Sequence, residues 1–349
     1  MVQASMSPSA RLFDYDLPQD RIAQTPIEPR DHSRLMILNR QTGAICHRRF
    51  YEIGEELREG DLLVFNDTKV FKARLHGQVR ERKIEVFLLR ESDGLWKTLI
   101  NPGKKVKTGD RIQIGNTEAE VVEKQPDGTV LLRFFLTAKE VLALTDTYGE
   151  IPVPPYIKQV PDELNVYQTV YARETGSVAA PTAGFHFTKR LMEELKGRGV
   201  QFAFVTLHVG IGTFRPMKTE TVEEHKMHAE SVSLSPETAR QINQAKEEGR
   251  RVIAVGTTTV RTLEGVARLN TVPTLLPESG FQGDVDLFIT PGFPFLLIDG
   301  LITNFHLPRS TLLVLVSAFA GRDRVLSAYG EAVKEGYRFY SFGDGMFLR

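Results

Sequence analysis

Four histidines stand in polar stretches of the chain: His186 and His208 where small and hydroxyl-bearing residues replace the apolar period of a buried helix, and His228 and His306 in two further polar clusters. Histidine titrates near neutral pH, so each of the four is a candidate general acid or base. The richest segment spans residues 167–215: YQTVYARETGSVAAPTAGFHFT, a short amphipathic stretch, then VTLHVGIGTFRP. Its glycines and alanines leave room for backbone to approach a ligand, and Pro181 fixes one dihedral and removes a donor. Tyr171, Arg173, Ser177 and Thr182 add groups that hydrogen-bond or carry charge. The run closes on Gly210, Gly212, Thr213 and Arg215, a turn that exposes backbone amides beside an arginine. A strand end that needs a flexible glycine explains a lone GxG equally well.

Three further clusters carry similar chemistry. Asn66 and Asp67 follow an apolar run, which puts them at the carboxyl end of a strand, where α/β sheets hold their ligands. Residues 252–255 form a second apolar run, leading into Gly256, three threonines including Thr258, and Arg261. A strand-to-helix turn of this kind holds an anionic or hydroxyl-bearing group at the helix N-terminus. The third cluster, TNFHLPRS, carries Asn304, His306 and Arg309 at the end of another apolar run. In HKMHAE the two imidazoles are three residues apart, but the glutamate spacing of HExxH is missing and the chain has one cysteine, Cys46. The pair therefore reads as hydrogen-bonding groups beside Glu230 and not as a metal centre. Neither GxSxG, nor a P-loop, nor a full GxGxxG is present: after Gly210 and Gly212 the third glycine position is Arg215.

The elements that must position these groups fall into two textures. With 349 residues the chain is long enough for two domains. Its 44 basic and 44 acidic residues balance, so bulk charge casts no vote for nucleic acid. No run reaches the ~18 apolar residues of a membrane span, and residues 1–10 lack the pattern of a signal peptide and read as an extension outside the fold. A cytoplasmic protein is expected. From residue 70 to 150, short β-rich runs recur between Gly, Asp-Gly and Pro-Gly turns, as in a small β-barrel. Between Lys69 and Arg111 this region holds 12 Lys/Arg against 5 Asp/Glu, an excess suited to a phosphate backbone, though a solvated charged face has the same composition. Outside it, strands alternate with helices, among them expected helices at 161–172, 188–196, 235–248 and 310–320, and strands at 286–290 and 296–304. The expected architecture is a layered α/β domain, discontinuous in sequence (1–69 and 151–349), with the barrel (70–150) inserted and most of the active site in its second part.

The motifs FDYDLP, LLVFNDTKV, YQTVYARETGSVAAPTAGFHFT, VTLHVGIGTFRP, HKMHAE, VIAVGTTTVRTLE, LITNFHLPRSTLLVLVSAFAG and YSFGDGMF span the chain from Phe13 to Phe347. In these residues it closely resembles the S-adenosylmethionine:tRNA ribosyltransferase-isomerase family of queuosine biosynthesis. The resemblance implies transfer and isomerisation of the ribosyl part of S-adenosylmethionine onto 7-aminomethyl-7-deazaguanine at the wobble position of a tRNA, giving epoxyqueuosine with release of adenine and methionine. S-adenosylmethionine is then a consumed substrate, and no cofactor, metal, membrane or obligate protein partner is implied.

That chemistry needs a base beside the sulfonium, for which His186, His208 and His228 are candidates, and a proton or hydrogen bond for the departing adenine, for which Asp67 and Glu230 are candidates. Arg215, Arg261 and the Gly210–Thr213 turn suit a carboxylate, and Phe185 and Phe214 suit a sulfonium. Asn66, Arg173, Thr182, Thr258, Asn304, His306 and Arg309 complete the expected substrate site. Lys72, Arg74, Lys104, Lys105 and Lys107 are the expected tRNA contacts on the barrel. Two rivals stay open: a methyltransferase using the GxG turn, which would yield S-adenosylhomocysteine, and a non-catalytic RNA-binding module.

Overall fold

A computed structural model describes residues 9–210, 221, 222, 224, 227, 229–272 and 274–349. Its larger part is a nine-stranded mixed sheet with helices packed against it. The strand Leu62–Asn66 is buried at every position, as a central strand covered on both faces must be. It pairs in parallel with Gln201–Leu207 on one side and Val252–Val255 on the other. Val252–Val255 in turn pairs in parallel with Gly300–Asn304. Antiparallel strands extend both edges: Glu230–Leu234 and Phe281–Val285 beyond Gln201–Leu207, and Gly345–Leu348 beside Gly300–Asn304. Arg34–Leu38 then pairs in parallel with Gly345–Leu348 and forms a hairpin with Ile45–Arg49.

The chain leaves Leu62–Asn66 toward one neighbour and later supplies the other, so the strand order reverses at Asn66 and a crevice opens there. The Asn66 amide holds that point together. Its Nδ2 donates to the Leu207 carbonyl at 3.0 Å and to Thr258 Oγ1 at 3.2 Å, and its Oδ1 accepts from the Thr68 and Leu207 amides at 3.1 Å.

The inserted unit is a closed barrel. Strands Arg74–Val79, Arg82–Ser92, Leu95–Asn101, Val130–Phe134, Thr117–Lys124 and Arg111–Ile114 pair in that order, and Gln78 opposite Gln113 closes the ring. Its interior is filled by alternate residues such as Leu75, Val86, Ile112, Val121 and Leu132. The helix Ala138–Tyr148 covers it with Val141 and Leu144 and starts from a capping box in which Thr137 and Glu140 bond each other's backbone amides. A short parallel pair, Thr68–Val70 with Glu174–Ser177, forms the stem between barrel and layer. Arg90 of the barrel also pairs with Asp284 on the edge strand, its Nη1 donating to both carboxylate oxygens at 2.8 and 3.0 Å.

Most expected helices form where their caps stand. Lys189–Gly197 follows Thr188, Pro236–Glu247 follows Ser235, and Thr311–Ala320 follows Ser310, each cap oxygen accepting an amide of the first turn. The expected helix at 161–172 does not form, and only a 3-10 turn at Leu164–Tyr167 is present. There Tyr167 is fully buried against Phe185 and Phe342, so tertiary packing overrides the local pattern. The expected strand at 286–290 is replaced by Phe281–Val285, and the one at 296–304 shortens to Gly300–Asn304. The reason lies in Glu264, a buried carboxylate that accepts the amides of Leu296, Leu297 and Ile298 at 3.0–3.2 Å and pulls this stretch into a turn.

Candidate active site

Residues 178–183 form the junction of the molecule. Val178 packs into the barrel core, Ala179 and Ala183 into the cores on the two faces of the large sheet, and Ala180 into a fourth cluster with Tyr167 and Phe342. Side chains larger than these would separate the clusters, which explains why the segment is rich in small residues.

Beside this junction a pocket opens at the carboxyl ends of Val252–Val255 and Gly300–Asn304. One wall is the segment Ala180–Ala183, which includes Thr182. A second is the start of helix Thr257–Leu269, where Gly256, at φ +93°, makes the left-handed step from strand to helix and presents Thr257 and Thr258. The third wall is Thr303, Asn304, His306 and Ser310, the last of these capping the next helix. Tyr156 and Tyr340 close the pocket, their ring centroids 4.1 Å apart.

His306 is 9% exposed, and its Nε2 lies 2.8 Å from Thr303 Oγ1. Burial lowers its pKa to about 3, so at neutral pH it is an uncharged donor and acceptor. Asn304 donates through Nδ2 to the Tyr340 carbonyl at 2.8 Å, which ties the sheet end to the aromatic wall.

The other expected groups lie elsewhere. His186 is buried behind the pocket wall, stacked on Phe50, with Nδ1 2.7 Å from Ser33 Oγ. Burial lowers its pKa to about 3, and the nearby Arg30 and Arg338 guanidiniums push it the same way. His208 turns its ring toward Gly176, with Nδ1 2.8 Å from Thr68 Oγ1. Burial lowers its pKa too, against the carboxylates of Glu174 and Asp67. Asp67 is buried and accepts from Arg173 Nη2 at 2.7 Å and Thr206 Oγ1 at 2.7 Å, while the Arg173 guanidinium sits over Phe204. Glu230 and Arg261 form a buried ion pair, and the Glu230 carboxylate also accepts the Gly210 amide at 3.3 Å. Arg309 pairs with Asp14 at 3.0 Å and anchors the N-terminal segment. Gly212, Thr213, Arg215, Phe214 and His228 lie outside the described residues.

On the barrel, Lys104, Lys105 and Lys107 share the turn between Leu95–Asn101 and Arg111–Ile114. Lys104 and Lys107 are exposed, whereas Lys105 is half-buried and donates to the Lys83 carbonyl at 3.4 Å. Lys72 donates to the Asp146 carbonyl at 3.2 Å and Arg74 pairs with Glu85 at 3.3 Å, so these two are partly occupied within the barrel.

The model of the family described as queuosine biosynthesis protein matches residues 10–348. The chain belongs to that family. Among its relatives, the S-adenosylmethionine:tRNA ribosyltransferase-isomerase of Desulfitobacterium hafniense is 52% identical over 343 residues, 96% of this chain and 98% of that one. The enzyme of the same name from Thermotoga maritima is 54% identical over 341 residues, with the same coverage. A crystal structure of S-adenosylmethionine tRNA ribosyltransferase from Thermotoga maritima matches 97% of this chain and 100% of its own, with 43% identity and a TM-score of 0.57. In the pocket at the strand ends four of the expected residues, Thr182, Thr258, Asn304 and His306, come together. Tyr156, Tyr340 and Ser341 of that pocket were not among the expected site residues. Tyr156 ends a proline-rich linker and the other two precede the last strand, and nothing in their spacing points to a shared wall.

Proposed function

We propose that this protein transfers and isomerises the ribosyl moiety of S-adenosylmethionine onto 7-aminomethyl-7-deazaguanine at the wobble position of a tRNA, forming epoxyqueuosine and releasing adenine and methionine. The observation that carries this reading is the match along nearly the whole chain to enzymes named for that transfer. The pocket at the strand ends is consistent with it, since hydroxyls, one amide and a neutral imidazole converge on a space beside the stem of the barrel.

S-adenosylmethionine is consumed in this reading, and both leaving groups come from it. A histidine takes the proton beside the sulfonium in this reading; His208, partly exposed and oriented by Thr68, suits the role better than His186, whose ring is enclosed by Phe50 and Ser33, and His228, the third candidate, lies outside the described residues. A wobble base must leave its stack to reach such a pocket, and the lysine turn of the barrel meets the phosphates around it. Among the described residues no helix is long and apolar enough to cross a membrane, and work on a tRNA substrate implies a cytoplasmic protein.

Incubation with S-adenosylmethionine and an anticodon stem-loop carrying 7-aminomethyl-7-deazaguanine tests the proposal. Adenine should appear in step with the mass gain of the epoxycyclopentane unit on the RNA. S-adenosylhomocysteine as the product would instead identify a methyltransferase, and RNA bound without change would identify a binding module.

A further inference from the structure

Tyr340 is a bulky residue at φ +73°, in the left-handed region that favours glycine. The turn is held by its surroundings: the Tyr340 carbonyl accepts from Asn304 Nδ2 at 2.8 Å and from the Gly343 amide at 2.9 Å, and its own amide donates to the Phe305 carbonyl at 3.1 Å. Glycine or asparagine would make this turn at lower cost. What tyrosine adds is a ring, and the ring forms the pocket wall beside Tyr156, whose hydroxyl is locked to Ser341 Oγ at 2.7 Å.

Two helices, Thr257–Leu269 and Thr311–Ala320, begin at the same pocket, so their positive ends favour electron-rich ligand atoms and disfavour a sulfonium or ammonium. Every described residue of the wall is uncharged at neutral pH, His306 included. An aromatic face combined with threonine hydroxyls, an imidazole and an amide is the chemistry that recognises a purine nucleoside.

We propose that this pocket is the nucleoside subsite, holding the adenine end of S-adenosylmethionine with the purine against Tyr340 and Tyr156, while the methionine end and the incoming RNA base lie toward its mouth. The assignment rests on the functional reading above. Tyr340 is then a binding residue that sets specificity for the purine, and Asn304 positions it. The purine acceptors and ribose oxygens meet Thr257, Thr258 and His306.

Binding of adenosine and of methionine, each measured alone by equilibrium dialysis and by competition against S-adenosylmethionine, tests the assignment without turnover. Adenosine should compete, and Tyr340→Leu should weaken adenosine and S-adenosylmethionine about ten-fold while methionine binding holds, consistent with the loss of one stacking face. Tyr340→Phe, which keeps the ring, should restore the affinity. Saturation-transfer NMR on the wild-type protein gives a readout independent of any variant: irradiation of aromatic protons should reach adenine H2 and H8. Saturation reaching the methionine methyl instead, or a Tyr340→Leu variant that loses methionine and keeps adenosine, would overturn the assignment. If adenosine binds as expected but no adenine is released with the RNA substrate, the pocket assignment stands and the functional reading fails.

Discussion

Asn66 Nδ2 lies 3.2 Å from Thr258 Oγ1, joining the end of the central strand to the first turn of the helix that borders the pocket. The same side chain satisfies the buried Leu207 backbone on the opposite side, so one amide holds three elements in register where the strand order reverses. No other side chain of similar size offers two donors and a two-lone-pair acceptor in one plane, apart from the longer glutamine.

Asn66→Ala should cost about 2–4 kcal/mol, since it leaves the Thr68 and Leu207 amides and the Leu207 carbonyl without this partner in a buried site. Asn66→Asp should be destabilising as well, because a carboxylate would face the Leu207 carbonyl. Urea denaturation of both variants, read with S-adenosylmethionine binding, checks this; a loss below about 0.5 kcal/mol, the usual range for surface changes, would show that the amide does not organise this point.

The Glu230–Arg261 pair is buried on both sides, and Arg261 Nη2 has no hydrogen-bond partner among the described residues. Removing either partner strands a charge, so Glu230→Leu or Arg261→Met alone should cost about 3–5 kcal/mol, whereas the double variant should recover most of the loss. A double-mutant cycle in urea reads the difference directly. Additive losses would mean that the two groups act separately.

His186 and His306 both have pKa values lowered to about 3 by burial, against about 6.5 in an unfolded chain. Above about pH 6.5 both states are neutral and the stability is fully present. As pH falls from there toward 3, the unfolded chain binds protons that the native protein refuses, so stability declines by up to about 1.4 kcal/mol per pH unit for each histidine. The urea midpoint should therefore drop between pH 7 and pH 5, and His186→Gln should flatten the drop. A midpoint independent of pH over this range would contradict the enclosure of these rings.

Charge reversal at Lys104, Lys105 and Lys107 should weaken tRNA binding and reduce the steepness of its salt dependence by about 0.7–0.9 for each phosphate no longer neutralised. Lys105, already donating to the Lys83 carbonyl, should contribute least of the three. Filter binding at several salt concentrations is the measurement, and an unchanged slope would put the RNA on another face.

Much of this molecule is legible locally. Ser235 before Pro236, Ser310 before Thr311 and Gly256 between strand and helix mark their elements because caps and left-handed turns act over three or four residues. The barrel strands are visible for the same reason, since alternation and turn chemistry are short-range. Thr258, Asn304 and His306 could be singled out because polar residues at the ends of apolar strands point to the ligand edge of a sheet, and Thr182 because small and hydroxyl-bearing residues break the apolar period around it.

What no local pattern carries is distance through space. Tyr156 and Tyr340 are 184 positions apart, yet their rings pack at 4.1 Å, and His186, set among the most suggestive residues of the chain, is enclosed by Phe50 and Ser33. The sequence by itself determined the elements, the family motifs and the chemical character of the strand ends, all set by neighbours along the chain. Only the tertiary structure decided which of those groups share a pocket and which histidines are sealed away from solvent, because desolvation and packing depend on residues brought together by strand order, not by position in the chain.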